Sequence, residues 1–134
     1  MSTADVRYGM VKDLPGVDYD DAVSRTTDAL KAEGFGVLTT IDVKATMKAK
    51  LDVDFRRYVI LGACNPPLAH KALSAEPMIG LLLPCNVVVM ESDDGGSVVS
   101  MFKPTEGFSL VDNDGVQPLA GEVEERLARV LESL

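Results

Sequence analysis

Both cysteines and the one histidine of the chain fall in one stretch of the sequence, where Cys64 and His70 follow one apolar run and Cys85 lies within the next. Thiolate and imidazole groups bind soft metal ions, and a thiol pair can also carry out redox chemistry. Two thiolates and one imidazole would leave a zinc-like ion with an open fourth position, which is the arrangement of a catalytic metal site. The residue types therefore predict a metal or thiol site at Cys64, His70 and Cys85.

The aliphatic surroundings of both cysteines support a second interpretation. Free cysteine is among the most buried residue types, so Cys64 and Cys85 are also typical of inert core thiols, with His70 on the surface. Cys64 directly precedes a predicted helix start, where the helix dipole would lower the pKa of its thiol while burial would raise it. The sequence leaves both interpretations open.

An asparagine follows each cysteine. Asn65 stands before Pro66 and Pro67 and is typical of a helix N-cap. Asn86 lies inside an apolar run, where a buried amide needs a loop or a ligand as its hydrogen-bond partner. We therefore take a set of five residues as ligand-binding candidates: Cys64, Asn65, His70, Cys85 and Asn86.

The remaining motifs indicate no reaction. The paired aspartates fall at predicted turns and helix starts, where Asp is favoured for local hydrogen bonding. The chain has no GxGxxG, P-loop, HExxH or GxSxG pattern. We assign neither a catalytic residue nor a cofactor, and whether the protein is an enzyme stays open.

Composition restricts the class of protein and its partners. A chain of 134 residues with 46% apolar residues fits one domain, 1–134, with a core of its own. A formal net charge of −8 disfavours nucleic acid as a partner, because phosphate binding needs clustered Lys and Arg. The apolar runs are shorter than the roughly 18 residues of a membrane span, and no leader is recognised, so we expect a soluble cytoplasmic protein that binds no membrane.

Hydrophobic periodicity and turn residues predict the elements that would position these candidates. Strands are expected from Val6 to the Pro15–Gly16 turn and at 35–43, 58–63, 81–90 and 97–102. Helices are expected from an Asp18 N-cap to Gly34, from Asn65 towards Pro77, and from Val116 onwards, with a short helix near Met47. The Asp93–Gly96 turn predicts a hairpin between the last two strands. The order β-α-β-β-α-β-β-α predicts an α+β fold, an antiparallel sheet covered by helices on one face.

The segments ILGACNPPLAHKAL and IGLLLPCNVVV, with GFGVLTTIDVKATMKAKL upstream, resemble the family known as domain of unknown function 302. The resemblance extends from about Tyr8 to Pro104 and implies a single α+β domain of the TATA-binding-protein-like type, often dimeric. The family commonly has Glu at the position of Thr40 and Asp at the position of Lys103, so we infer no general acid or base here. The family pattern maps onto Gly62, Ala63, Cys64, Asn65, Pro66, Ala69, Leu73, Gly80, Leu82, Pro84, Cys85 and Asn86.

Three functional hypotheses follow. The first is a small homodimer that binds a small molecule or partner near Cys64, His70 and Cys85. The alternative is a thiol-dependent redox or metal-binding protein that uses Cys64 and Cys85. The third is a structural assembly module in which the cysteine region has no role.

Overall fold

The computed structural model describes residues 6–134. Its strands are β1 (Gly9–Leu14), β2 (Gly36–Asp42), β3 (Tyr58–Cys64), β4 (Cys85–Glu91) and β5 (Ser97–Phe102). Its α-helices are α1 (Tyr19–Ala32), α2 (Val43–Leu51), α3 (Pro66–Ala75), α4 (Pro104–Gly107) and α5 (Gln117–Glu132), and Pro77–Leu82 and Phe108–Leu110 form 3-10 turns. The predicted order is confirmed, the short helix expected near Met47 is α2, and α4 is an additional helix.

The five strands form one sheet in the order β1-β5-β4-β3-β2, and every neighbouring pair is antiparallel. The predicted β4–β5 hairpin forms, and its turn is closed by the amide of Ser92 donating to the carbonyl of Gly96. β3 and β4 are neighbours although α3 lies between them in sequence. This crossover brings the end of β3 next to the start of β4.

Local sequence signals account for where helix α1 begins and ends and for where helix α3 begins. The carboxylate of Asp18 caps α1 by accepting from the amide of Asp20, and Gly34 ends the helix at φ +85°. At α3, Asn65 Oδ1 accepts from the amide of Leu68 at 3.2 Å. Both predicted N-caps are therefore confirmed.

The main core lies between one face of the sheet and helices α1 and α5. The apolar stripe of α5 supplies Leu127 and Val130, while α1 supplies Ala22 and Leu30. These side chains pack on alternate strand residues of the core face, because successive residues of a strand point to opposite sides. The strand residues of this core include Leu61, Ala63, Cys85, Val87, Val89, Val99 and Met101.

Two strands are shorter than predicted by about three residues, and β2 (Gly36–Asp42) is shorter by one residue at each end. β1 begins at Gly9 rather than Val6, and β4 begins at Cys85 rather than Leu81. Pro84 has no amide hydrogen to donate to a neighbouring strand, so a central strand cannot pass through it. The preceding residues turn into the 3-10 segment, and Leu81 is left 84% exposed.

The pairing of β2 with β3 contains an irregularity between Val37 and Thr39. Leu38 is the extra residue, and its side chain is 66% exposed. Beyond the bulge, Thr39 lies over Gly62 so closely that a Cβ on Gly62 would collide with Thr39 Oγ1 and stand 2.8 Å from Pro84 Cγ. Glycine is required there for close contact between two strands and the loop before β4.

Between residues 6 and 134, no helix combines the length and the apolar character that crossing a bilayer requires.

Candidate functional site

The two cysteines lie at adjoining strand ends. Cys64 is the last residue of β3 and Cys85 the first of β4, and the register pairs Ala63 with Cys85. Both thiols are free, and both residues border the same cavity. Cys85 is buried and Cys64 is partly exposed.

The cavity beside the cysteines has a volume of about 270 Å³. Its floor is the end of the sheet, one wall is α3, and the other is the start of α5. Leu38 and Leu73 line it and are 66% and 41% exposed, so the cavity opens to solvent on their side. Its lining is almost entirely apolar: Phe35, Leu38, Ala63, Cys64, Asn65, Leu68, Ala69, Ala72, Leu73, Gly80, Leu83, Pro84, Cys85, Phe108, Val116, Leu119 and Val123.

Asn65 is the one lining residue with an amide side chain, and it is only 8% exposed. Its Oδ1 caps α3, and in residues 6–134 its Nδ2 has no hydrogen-bond acceptor. A Cβ built on Gly34 would lie 2.9 Å from Nδ2 and 3.8 Å from Arg126 Nη1. The end of α1, the start of α3 and the middle of α5 therefore meet around the Asn65 side chain, and neither Gly34 nor Arg126 lines the cavity.

The other two candidates lie outside the cavity. His70 is exposed on α3, and Asn86 is exposed on β4, opposite Gly62 in the register. The prediction of a buried Asn86 is wrong, because Asn86 follows buried Cys85 and so points to the opposite side of the sheet. Its amide can bond to water and needs no ligand.

The predicted metal site of Cys64, His70 and Cys85 is not assembled. Helix geometry turns His70 outward while its neighbours Leu68, Ala69 and Ala72 face the cavity. Across the described part of the chain, no group of three or more His, Cys, Asp or Glu residues is placed to hold a metal ion.

Burial decides the protonation of both thiols. It raises the pKa of the Cys64 thiol above its ordinary value, and no cation in the described residues offsets that effect. Burial, together with the nearby Cys64 thiol, raises the pKa of Cys85 to about 12. The lowering by the α3 dipole that the sequence suggested does not prevail, and both cysteines are thiols at neutral pH.

Most of the cavity was missed by sequence reasoning, because its aliphatic residues look like any others of a core. Phe35, Leu83, Val116 and Leu119 come from distant parts of the chain and carry no chemical signature. Leu38 reaches the opening because the β2 bulge re-aims its side chain. Hydrophobic periodicity assumes regular pairing and does not reveal such a bulge.

Comparisons with known proteins agree with this architecture. No curated protein matches the chain. A crystal structure of an uncharacterized conserved DUF302 protein from Bacillus stearothermophilus is similar, with a TM-score of 0.86 and 30% sequence identity, and the match covers 96% of this chain and 98% of that one. The model of the family described as domain of unknown function DUF302 matches residues 10–134. The chain belongs to the DUF302 family.

Proposed function

We propose that the protein binds a small apolar molecule in the cavity bordered by Cys64, Asn65 and Cys85. The observation that carries this proposal is the composition of the lining, in which aliphatic, aromatic and thiol side chains surround a single amide. Binding pockets for small molecules are mostly apolar with a few polar groups that orient the ligand. An apolar cavity also gives water few hydrogen bonds, so water is readily displaced by a hydrocarbon group.

The size of the cavity limits the ligand. A volume of about 270 Å³ lies just below the range of roughly 300–1,000 Å³ typical of pockets for drug-sized ligands. The ligand is therefore smaller than most cofactors. Leu38 and Leu73 at the opening extend the apolar contact for any part of the ligand that protrudes.

The experiment is a calorimetric titration with 1-heptanol, comparing wild type with Ala69→Phe and Ala75→Phe. Ala69 is partly buried in the cavity wall, so a phenyl ring there occupies the space of the ligand. Ala75 is exposed on the same helix outside the cavity and is the matched control. We expect stoichiometric binding to wild type and to Ala75→Phe, and none to Ala69→Phe. Absence of saturable binding to wild type contradicts the proposal.

The alternative of thiol-dependent chemistry has less support. A reactive cysteine needs thiolate character, and burial raises the pKa of both thiols. Metal binding through Cys64 and Cys85 would have to overcome the same protonation, and His70 does not join them. In the ligand-binding proposal, the two thiols serve as compact apolar wall groups.

We further propose that the protein is a homodimer. The sheet face turned away from α1 and α5 carries Val11, Ile60, Val88 and Met90, each partly buried, so these strands are apolar on both sides. Each chain carries a net charge of −8, so two copies repel each other where their charged surfaces meet. Contact through this apolar face keeps that repulsion small, and we therefore place the dimer interface there.

Light scattering coupled to size-exclusion chromatography tests the dimer. We expect twice the 14.3 kDa of one chain for wild type. Ile60→Lys should give one chain mass, since it places a charge in the interface, while Leu110→Lys, at a residue that is 84% exposed, should leave the dimer intact. A monomeric wild type would overturn the homodimer proposal.

A further inference from the structure

Two exposed apolar side chains form a ridge on the surface beside the cavity. The 3-10 turn Pro77–Leu82 has about three residues per turn, so Met78 and Leu81 lie one above the other on the same side of it. Their side chains are 68% and 84% exposed, whereas Ile79, on another side of the turn, is buried. The sequence from Pro77 to Cys85 contains no charged residue. We call Met78 and Leu81 the apolar ridge.

Gly80 connects the apolar ridge to the cavity. It lies between the two ridge residues in sequence, it is exposed, and it lines the cavity. Apart from its neighbours in sequence, the one atom of residues 6–134 within 4 Å of a Cβ built on Gly80 is Leu73 Cδ2, at 3.9 Å. Gly80 therefore leaves an open apolar passage from the cavity, between Leu73 and the ridge.

The volume of the cavity limits how much of a hydrocarbon chain it can hold. A methylene group takes up about as much space as a water molecule, roughly 30 Å³, so a cavity of about 270 Å³ holds about nine carbon atoms. A longer hydrocarbon chain must leave through the opening. On the side of Leu38 it would meet the polar residues Thr39 and Thr40, whereas the passage over Gly80 offers it further apolar contact.

The polar end of such a ligand belongs outside the cavity. The lining contains one amide side chain and no charged group. A polar end group that entered this space would lose its hydrogen bonds to water with little to replace them. The hydrocarbon end of a ligand therefore enters first, and the polar end stays in solvent.

We infer that the ligand is an unbranched aliphatic amphiphile longer than the cavity. Its inner carbons occupy the cavity, its outer carbons cross Gly80 and lie against the apolar ridge, and its polar end is in water. This inference rests on the proposed function, because it extends the binding site of the same ligand. It assigns to Met78 and Leu81 the selection of chain length.

Calorimetric titration with 1-heptanol, 1-nonanol and 1-dodecanol tests the inference, because these alcohols differ only in length. We expect the affinity of wild type to rise about fourfold per carbon up to 1-nonanol, since each added methylene is buried in the cavity. Beyond nine carbons the ridge covers one side of the ligand, so we expect about twofold per carbon, or about eightfold from 1-nonanol to 1-dodecanol. Equal affinities for 1-nonanol and 1-dodecanol overturn the inference, while binding in the cavity stands.

The double variant Met78→Ser/Leu81→Ser removes the apolar ridge. The readout is the ratio of the affinities for 1-dodecanol and 1-nonanol, because this ratio cancels any effect of the substitutions on the cavity itself. We expect the ratio to fall close to one. Leu110→Ser is the matched control, since Leu110 is also 84% exposed and does not line the cavity, and it should keep the ratio of wild type.

The remaining outcomes separate this inference from the proposed function. If wild type binds none of the three alcohols, both fail. If the double variant keeps the ratio of wild type, the outer carbons do not lie on the ridge and the inference alone is overturned. If the double variant converts a wild-type dimer into single chains in light scattering, a second copy covers the ridge, and that result also overturns the inference.

Discussion

At the scale of single residues, Cys85 is the group whose protonation is most altered by folding. It is 5% exposed at the junction of the core and the cavity. A thiol in the unfolded chain ionises near pH 8.5, whereas burial and the Cys64 thiol raise the pKa of folded Cys85 to about 12. Between about pH 8.5 and about pH 12, the Cys85 thiol therefore keeps its proton in the folded state and loses it in the unfolded state.

We expect this difference to destabilise the protein in alkali. Because the folded pKa is the higher one, the contribution of Cys85 is complete below about pH 8.5 and is lost as the pH rises towards about 12, by about 1.4 kcal/mol per pH unit. Urea denaturation at pH 8 and pH 10 measures it. Cys85→Ala should show a smaller loss between these pH values, and equal losses in both proteins would contradict the raised pKa.

Residue types alone identified part of the candidate site. The thiols and Asn65 were found because cysteine and a capping asparagine are distinctive in sequence, and the antiparallel crossover does bring the two strand ends together. His70 and Asn86 were included for their chemistry, but their direction depends on helix phase and strand alternation within one residue. Sequence spacing did not supply that precision.

At the scale of elements, the contact of β2, β3 and the loop before β4 depends on Gly62. Gly62→Ala should lower the free energy of unfolding by about 1–3 kcal/mol, because the new methyl group overlaps Thr39 and stands 2.8 Å from Pro84 Cγ. Gly36→Ala is the control, since a Cβ there meets nothing within 4 Å. Chemical denaturation compares the two variants. Equal changes in the free energy of unfolding for the two variants would show that β2 and β3 move apart to accommodate the methyl group without loss of stability.

A second contact between elements joins β1 to the end of α5. Lys12 Nζ donates to the carbonyl oxygens of Leu131 and Leu134, each at 3.0 Å, and so places a cation at the C-terminal end of α5, where the helix dipole is negative. We expect Lys12→Met to lower the free energy of unfolding by about 1–2 kcal/mol. Lys71→Met, at an exposed position of α3, should change little. Thermal unfolding of both variants measures the difference, and similar midpoints would show that water replaces the lysine.

Elements were predicted well where a local signal sets the boundary. The side chains of Asp18 and Asn65 accept hydrogen bonds from backbone amides two or three residues further along the chain. The Asp93–Gly96 turn reverses the chain direction within four residues. Such local effects can be recognised in the sequence. The predicted start of β4 was wrong because the apolar residues from Leu81 onwards were assigned to the strand, although Pro84 cannot donate a hydrogen bond to a neighbouring strand. The bond from Lys12 to Leu131 of α5 spans 119 positions of the chain, so no local sequence pattern predicts it.

At the scale of the whole molecule, ligand binding should stabilise the fold. Whatever binds only the folded state raises its stability by mass action, by about 2.7 kcal/mol at one hundred times the dissociation constant. We expect 1-heptanol at that ratio to raise the urea midpoint of wild type and of Ala75→Phe, but not of Ala69→Phe. An equal shift in all three proteins would indicate a solvent effect rather than occupation of the cavity.

The α+β class, the antiparallel sheet and the family were all within reach of the sequence, and the match over residues 10–134 agrees with them. The cavity was not, since it is space left between α3, α5 and the sheet end. The shape and volume of this cavity depend on how side chains from distant segments of the chain pack around it. No local pattern encodes that outcome.

The bulge in β2 has one more consequence, for how molecules meet in a crowded solution. β2 is an outer strand whose residues are mostly exposed, and a regular outer strand is a template on which further chains can add. The irregularity around Leu38 interrupts that template while it opens the cavity. We therefore expect that deletion of Leu38, which would make the pairing of β2 regular, would favour the addition of further chains to β2 and the growth of fibrils.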